Sequence, residues 1–308
     1  MNQVMSTVGV AQRILRDSIV VFLYHEVSDS PSPFNKMFGL NVPPAVFSDQ
    51  LDLIGRSFEF IDPKRLLSGN HRTPAALVTF DDGNLSYFRT ALPILKEKQI
   101  PSVMFVNFGS ILGEVCWSGL VTFLQYCDPD FYRQKNPKDG DFLRFTEPEV
   151  SSYLSSVKAD ALLGRVRSFR GAIAEARDIE DVSEEPLVYL GNHLYNHYNV
   201  TTLTADRVRK EYWENQRLID SHPRGMRAFS YPFGQPMTCY NKETSQLIQG
   251  EGAEALFSAY PLPNFRQDGK FYHRVPMTEA VRGEMDLYRS IMSNFVRGKL
   301  RIGPESRV

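Results

Sequence analysis

The chain has 308 residues, of which 42% are hydrophobic and 23% charged, and its formal net charge is -1. That length can bury a large core and fits one domain of barrel size over 1–308, while a near-neutral balance supplies no basic field and argues against a nucleic-acid partner. Cys116, Cys127 and Cys239 fall in neither a CxxC nor a metal-ligand spacing, and an odd number argues against a disulfide framework, so they read as reduced structural thiols.

In chain order, Met1-Asn2-Gln3-Val4-Met5-Ser6 lacks a basic region leading into a long apolar core, and Ile19–Leu23 is too short to cross a bilayer. No transmembrane segment is expected, and the expected location is the cytoplasm. Ser18–Tyr24 reads as a strand, with His25 at its end. Pro44–Arg56 reads as an amphipathic helix carrying Phe47, Leu51 and Ile54 on one side. Ala75–Phe80 is a short, wholly apolar or threonine run, the pattern of a buried parallel strand, and Asp81-Asp82-Gly83 ends it. A helix over Thr90–Lys98, a turn at Pro101 and a strand over Ser102–Phe108 continue a βα rhythm that argues for a parallel barrel.

From about Cys116 to Pro186 that rhythm breaks. Turn signals at Asp128-Pro129-Asp130 and Asn136-Pro137-Lys138-Asp139-Gly140 lead into helix-favouring runs through Glu147–Val150 and Ala159–Arg177, so 116–186 reads as a helical insertion. Inserts after barrel strands often shape the substrate pocket, and a plain spacer helix pair is an equal reading. Arg165, Arg167, Arg170 and Arg177 could meet a phosphate or an anionic headgroup. With Asp178, Glu180, Asp181, Glu184 and Glu185 following closely, a solvated helix face is the favoured reading.

Beyond the insertion, Gly191-Asn192-His193-Leu194-Tyr195-Asn196-His197 places two imidazoles four residues apart. Alone, that pair could be an ordinary surface or core feature, and Asp81-Asp82-Gly83 could be an ordinary turn. Together they supply a carboxylate and two imidazoles, a donor set that suits a divalent transition metal and leaves a position open for water or substrate. If the stretch is one helical turn, both rings share a face and reach one ion. Leu194 occupies the place where a zincin-type protease carries its glutamate base. The base must come from elsewhere, and Asp81, which cannot point the same way as Asp82, is the nearest candidate. Tyr231-Pro232-Phe233-Gly234 could be a simple tight turn, or a turn that aims a backbone N–H at the site.

Three segments together resemble one family. Thr79-Phe80-Asp81-Asp82-Gly83, Leu190 through His193 and His197 to Leu203, and Phe229-Ser230-Tyr231-Pro232-Phe233-Gly234 look like the first three motifs of the polysaccharide deacetylases, the NodB-homology or carbohydrate esterase family 4 enzymes. The likeness runs from about Val20 to Pro276. It implies a distorted, incomplete TIM-like (β/α)7 barrel and a metal-dependent hydrolase that removes an N-acyl group, N-acetyl above all, from an amino sugar or glycan precursor. By position, Asp81 would be the general base, and Asp82, His193 and His197 would hold one divalent metal: zinc by preference, cobalt or nickel as alternatives. The Phe233 N–H would help hold the oxyanion, and Tyr231 and Pro232 would border the substrate.

The departures from the pattern are specific. Leu194 and Tyr198 replace a hydroxyl residue and a proline beside the metal histidines. Ser230 stands where an arginine often orients the catalytic aspartate. No late Leu-x-His motif supplies a general acid, which leaves His25, His273 or recycled Asp81 for that role. Two further readings stay open: removal of N-formyl from a formamido sugar, and an inactive glycan-binding homologue. The expected substrate is a sugar precursor, nucleotide-linked or lipid-linked.

Overall fold

The computed structural model describes residues 7–127, 129–130, 142–146, 148, 160–265 and 270–300. Parallel strands form its centre: β1 (Ile19–Tyr24), β4 (Glu59–Phe60), β5 (Ala75–Phe80), β6 (Ser102–Val106), β7 (Val188–Asn192), β8 (Gly225–Ser230), β9 (Ala255–Phe257), β10 (Phe271–Tyr272) and β11 (Arg274–Pro276). The short pair β2 (Glu26–Val27) and β3 (Asn41–Val42) lies apart. Every residue of β1, β5, β6 and β7 is buried, because helices cover one face and facing strands the other; that explains their largely apolar sequences.

Side-chain alternation divides the interior into two layers. Val21, Leu77, Val103, Phe105, Phe257 and Tyr272 cluster inside the curved sheet. Val20, Phe22, Val78, Phe80, Phe47 and Ile54 join the cluster that includes the outer helices. The helix Pro44–Gly55 opens with proline in its first turn and buries Val46, Phe47, Gln50, Leu51 and Ile54, the one-sided pattern expected from its sequence. The helix expected at Thr90 begins earlier, as a π-helical turn over Tyr87–Ala91 that continues into Leu92–Glu97. Tyr87 is anchored there by burial and by its contact with Ser102 Oγ at 2.9 Å.

The strand order is β10-β9-β8-β7-β6-β5-β1-β11. Both ends of this sheet are made by consecutive pieces of one segment: Tyr272 pairs with Phe257, and two residues later Arg274 pairs with Val21. The ladder breaks at His273, so the sheet is an incomplete barrel rather than a closed one. Asn264 bridges the break, donating to the Ile19 and His273 carbonyls at 3.2 and 2.8 Å and accepting from His273 N at 2.7 Å.

Between β6 and β7 the insertion contributes the helices Trp117–Cys127 and Asp160–Arg170, which pack together, and the short helix Ala176–Glu180. Trp117 through Leu124 are all buried. The turn Asn136–Gly140 and the run from Glu149 to Ala159 lie outside the described residues.

Gly191 shows how tightly the strand leading to the histidines is held. A Cβ there would lie 2.5 Å from two ring carbons of Phe105 and 3.2 Å from the Ala228 carbonyl oxygen. Gly191→Ala should therefore cost about 1–3 kcal/mol through overpacking, read as a lower denaturant midpoint with an unchanged slope. An unaltered midpoint would show that Phe105 moves aside freely.

Candidate active site

The site lies at the C-terminal ends of the parallel strands, where barrel folds collect catalytic groups. At the end of β5 the backbone turns through positive φ at Asp82 (73°) and Gly83 (65°), and the two adjacent carboxylates diverge. Asp81 faces the interior. Arg274 donates to its two oxygens through Nη1 and Nη2, each at 2.7 Å, and to Ser230 Oγ, also at 2.7 Å. Ser230 Oγ lies 3.4 Å from Asp81 Oδ2. The Asp82 carboxylate splits its contacts: Oδ1 lies 3.5 Å from His193 Nε2 and 3.2 Å from His197 Nε2, while Oδ2 accepts from Arg170 Nη2 at 2.8 Å.

The histidine segment is not a helical turn, contrary to the i, i+4 expectation. His193 follows the last residue of β7, and the chain then runs through an irregular loop with Leu194 at φ 60° and His197 at φ 57°. Polar side chains hold this loop from outside. Asn192 Oδ1 accepts from Leu194 N at 2.9 Å, and buried Glu211 accepts from Asn196 N and Nδ2 at 2.7 and 3.0 Å. Asn215 ties the same loop to β6 by donating to the Val106 carbonyl at 2.8 Å and to Asn192 Oδ1 at 2.9 Å. The tertiary fold brings the two rings to one point, 4.7 Å apart between centroids, where a helix had been expected to do so.

These donors fit a divalent metal. Asp82, His193 and His197 are buried, and their ligand atoms lie within 4.8 Å of one another. Four ligands at about 2.0–2.1 Å in tetrahedral array stand roughly 3.3–3.4 Å apart, which matches the 3.2 and 3.5 Å separations from Asp82 to the imidazoles. His193 Nδ1 lies 2.8 Å from the Ser230 carbonyl; an N–H donated there leaves Nε2 with its lone pair for a metal.

Burial raises the Asp81 carboxyl, but Arg274 and His193 more than offset this and hold it below its ordinary value. Asp82 is held further down: burial again opposes, and His197 and Arg170 prevail. Both carboxylates are ionised at neutral pH.

His25 is half-buried beside the same charges; burial lowers its pKa, partly opposed by Asp82 and Asp81. His273, pushed down to about 4 by burial, is neutral at ordinary pH. It meets Ser258 Oγ at 2.9 Å and packs near Phe271 and Tyr260, while its strand neighbour Arg274 serves Asp81. Tyr231 is fully buried, stacked on Tyr240, with its hydroxyl donating to Ser245 Oγ at 2.9 Å. Its ring therefore belongs to the outer core, and Pro232 is buried beside it. Phe233, at φ 62°, lies against His197 with ring centroids 4.8 Å apart.

Two arginines complete the site, and neither role was legible in the sequence. Arg274, from the far end of the sheet, stands in for the arginine absent at Ser230; the small serine leaves it room. Arg170 belongs to the insertion's basic run, which was expected to be solvated. That expectation is corrected. Arg165 lies over the Phe123 ring at 5.1 Å, Arg167 reaches the Gly113 carbonyl at 3.5 Å, and Arg177 pairs with Glu175 at 3.2 Å, but Arg170 is buried against Asp82.

The family model described as Polysaccharide deacetylase matches residues 68–256. Among solved structures, the Streptococcus pyogenes deacetylase PplD in complex with acetate superposes with a TM-score of 0.59 at 16% identity, over 90% of this chain and 99% of its own. IcaB from Ammonifex degensii gives 0.59 at 21% identity, over 89% and 97%. A de-N-acetylase from Aggregatibacter actinomycetemcomitans gives 0.57 at 14%, over 91% and 100%. At these identities the likeness is one of fold. No curated protein sequence matches the chain.

Removing Arg274 leaves a buried carboxylate without its partner. Arg274→Met should cost about 3–5 kcal/mol of stability in denaturant unfolding, while metal content stays that of the wild type. Wild-type stability in that variant would mean Asp81 is otherwise satisfied. At His273 the folded state binds fewer protons than the unfolded chain between the ordinary value of 6.5 and about 4. Stability should thus fall as pH drops through that window, and His273→Gln should remove a loss on the order of 2–3 kcal/mol by pH 4. Identical pH profiles for the two proteins would exclude His273 as the cause.

Proposed function

Because this chain belongs to the polysaccharide deacetylase family, an enzyme class that hydrolyses amide bonds of glycans, we propose that it removes an N-acetyl group from an amino sugar or glycan precursor with the help of one divalent transition metal. A single observation carries this reading. Asp81, clamped by Arg274 and separate from the carboxylate of Asp82, lies 3.7 Å from His193 Nε2 at the edge of the Asp82-His193-His197 triad.

Asp82, His193 and His197 would hold the metal, which when bound supplies a Lewis acid for the acyl oxygen and lowers the pKa of water. Asp81 accepts the proton of the attacking water, and Arg274 keeps that carboxylate ionised and aimed. The Phe233 N–H, set by the left-handed turn beside His197, donates to the developing oxyanion. Having taken a proton, Asp81 is the group best placed to return one to the departing amine, since burial favours neutral forms of His25 and His273. The clamped and ionised Asp81 speaks against an inactive glycan-binding homologue.

Among the described residues no helix is long and apolar enough to cross a membrane. The substrate class is tested with a panel of N-acetylated and N-formylated amino sugars, free, nucleotide-linked and lipid-linked, with and without chelator. Asp81→Asn should retain the metal by elemental analysis and lose about 10²–10⁴-fold in kcat, whereas His197→Ala should lose the metal itself. Equal metal loss in both variants would make Asp81 a ligand and reverse the assigned roles.

A further inference from the structure

Arg170 ends the insertion helix Asp160–Arg170, and it is only 5% exposed. Its surroundings are shaped around it. The guanidinium lies over the Phe34 ring at 4.7 Å, Nη1 donates to Asn84 Oδ1 at 3.1 Å, and Nη2 donates to Asp82 Oδ2 at 2.8 Å. Gly119, on the partner helix of the insertion, leaves space for the side-chain stem; a Cβ there would lie 3.2–3.3 Å from three Arg170 carbons. Gly171 follows at φ 91°, ending the helix where a Cβ would meet Ser32 at 2.7 Å. The chain then runs past the Asp81-Asp82-Gly83 turn, with Ala174 N donating to the Gly83 carbonyl at 2.9 Å and Leu85 N to the Ala172 carbonyl at 2.9 Å.

We propose that Arg170 is a positioning residue of the metal centre, through which the insertion presents Asp82 to the metal by one oxygen. The inference rests on the metal reading of Asp82, His193 and His197 given above. By occupying Oδ2, Arg170 leaves Oδ1 as the oxygen turned toward the two imidazoles. It also supplies a positive partner for a carboxylate that is otherwise buried, so the site is organised before the metal arrives. Partners of this kind, which hold a ligand from behind, change metal affinity by about 10–100-fold when lost. The insertion is then part of the centre. Linkage requires the converse as well: whatever Arg170 adds to metal affinity, the metal returns to the docking of the insertion.

The test uses the whole chain with Co2+ as probe, titrated against a competing chelator and followed by visible absorption. Arg170→Met should bind Co2+ about 10–100-fold more weakly, with absorption bands changed because Oδ2 is free to coordinate; Arg170→Lys should recover part of the affinity. In the wild type, Co2+ should slow amide exchange in Trp117–Leu124 and in Asp160–Arg170, and in Arg170→Met it should not. Should Arg170→Met fail to fold, Gly119→Ala, which crowds the arginine stem, provides the intermediate case, expected to lower affinity. Wild-type affinity and spectrum in the Arg170 and Gly119 variants would overturn the proposal, as would tighter binding, which would mean that repulsion between the guanidinium and the metal outweighs orientation. Weakened Co2+ binding with no hydrolysis by the wild type would support this inference and sink the deacetylase reading. Full hydrolysis by the wild type with unchanged Co2+ binding in the variants would do the reverse. A wild type that takes up no Co2+ overturns both.

Discussion

Two adjacent buried carboxylates cannot share one environment, and the architecture around Asp81 and Asp82 answers that constraint. Each ionised group needs its own compensation, because an unpaired buried charge is among the most costly defects a fold can carry. The left-handed turn at Asp82 and Gly83 separates them. Arg274 then satisfies Asp81 from inside the sheet, while Arg170 and two imidazoles face Asp82 from the other side. One carboxylate is thereby kept with Arg274, and the other is set beside the two imidazoles. In the proposed mechanism this division gives a single turn both a ligand and a base.

The open seam of the sheet serves the same arrangement. Arg274 begins β11, directly after the interruption at His273, and its register opposite Val21 points its side chain into the interior beside β5. Asn264 satisfies backbone groups that the break would otherwise leave unpaired. On the opposite flank, Asn192, Asn215 and Glu211 hold an irregular loop in which His193 and His197 converge. A rigid sheet supplies positions, and polar side chains behind the loop supply orientation, which is the division of labour a metal site needs.

The insertion occupies a place between scaffold and site. Its helix Trp117–Cys127 is buried throughout from Trp117 to Leu124, and its returning segment passes along the Asp81-Asp82-Gly83 turn. Its arginines look alike in sequence and differ wholly in structure: Arg165 covers a phenylalanine ring, Arg167 reaches a loop carbonyl, and Arg170 enters the interior. Proximity to the site follows from one glycine that makes room, Gly119, and one that turns the chain, Gly171. Neither glycine carries a motif.

The sequence alone determined the elements whose physics is local. Ser18–Tyr24 read as a strand and the run Ala75–Phe80 as a buried parallel one, one-sided periodicity marked the helix from Pro44, and the residue types of Asp81, Asp82, His193 and His197 in motif order pointed to a metal hydrolase of the deacetylase fold. The helical reading of the histidine pair failed because the positive φ at Leu194 and His197 is imposed by Glu211, Asn192 and Asn215, partners distant in the chain or hidden by their ordinary appearance. Arg274 escaped notice because its pairing with Asp81 spans the sheet and depends on the register of β11 against β1. Arg170 escaped because a basic run is ordinarily solvated, and only the packing of two insertion helices drives one of its members inside. Residue identity and local period thus established the strands and the chemistry available; tertiary structure alone decided which charges meet, since pairing of buried ions depends on three-dimensional proximity that sequence separation does not encode.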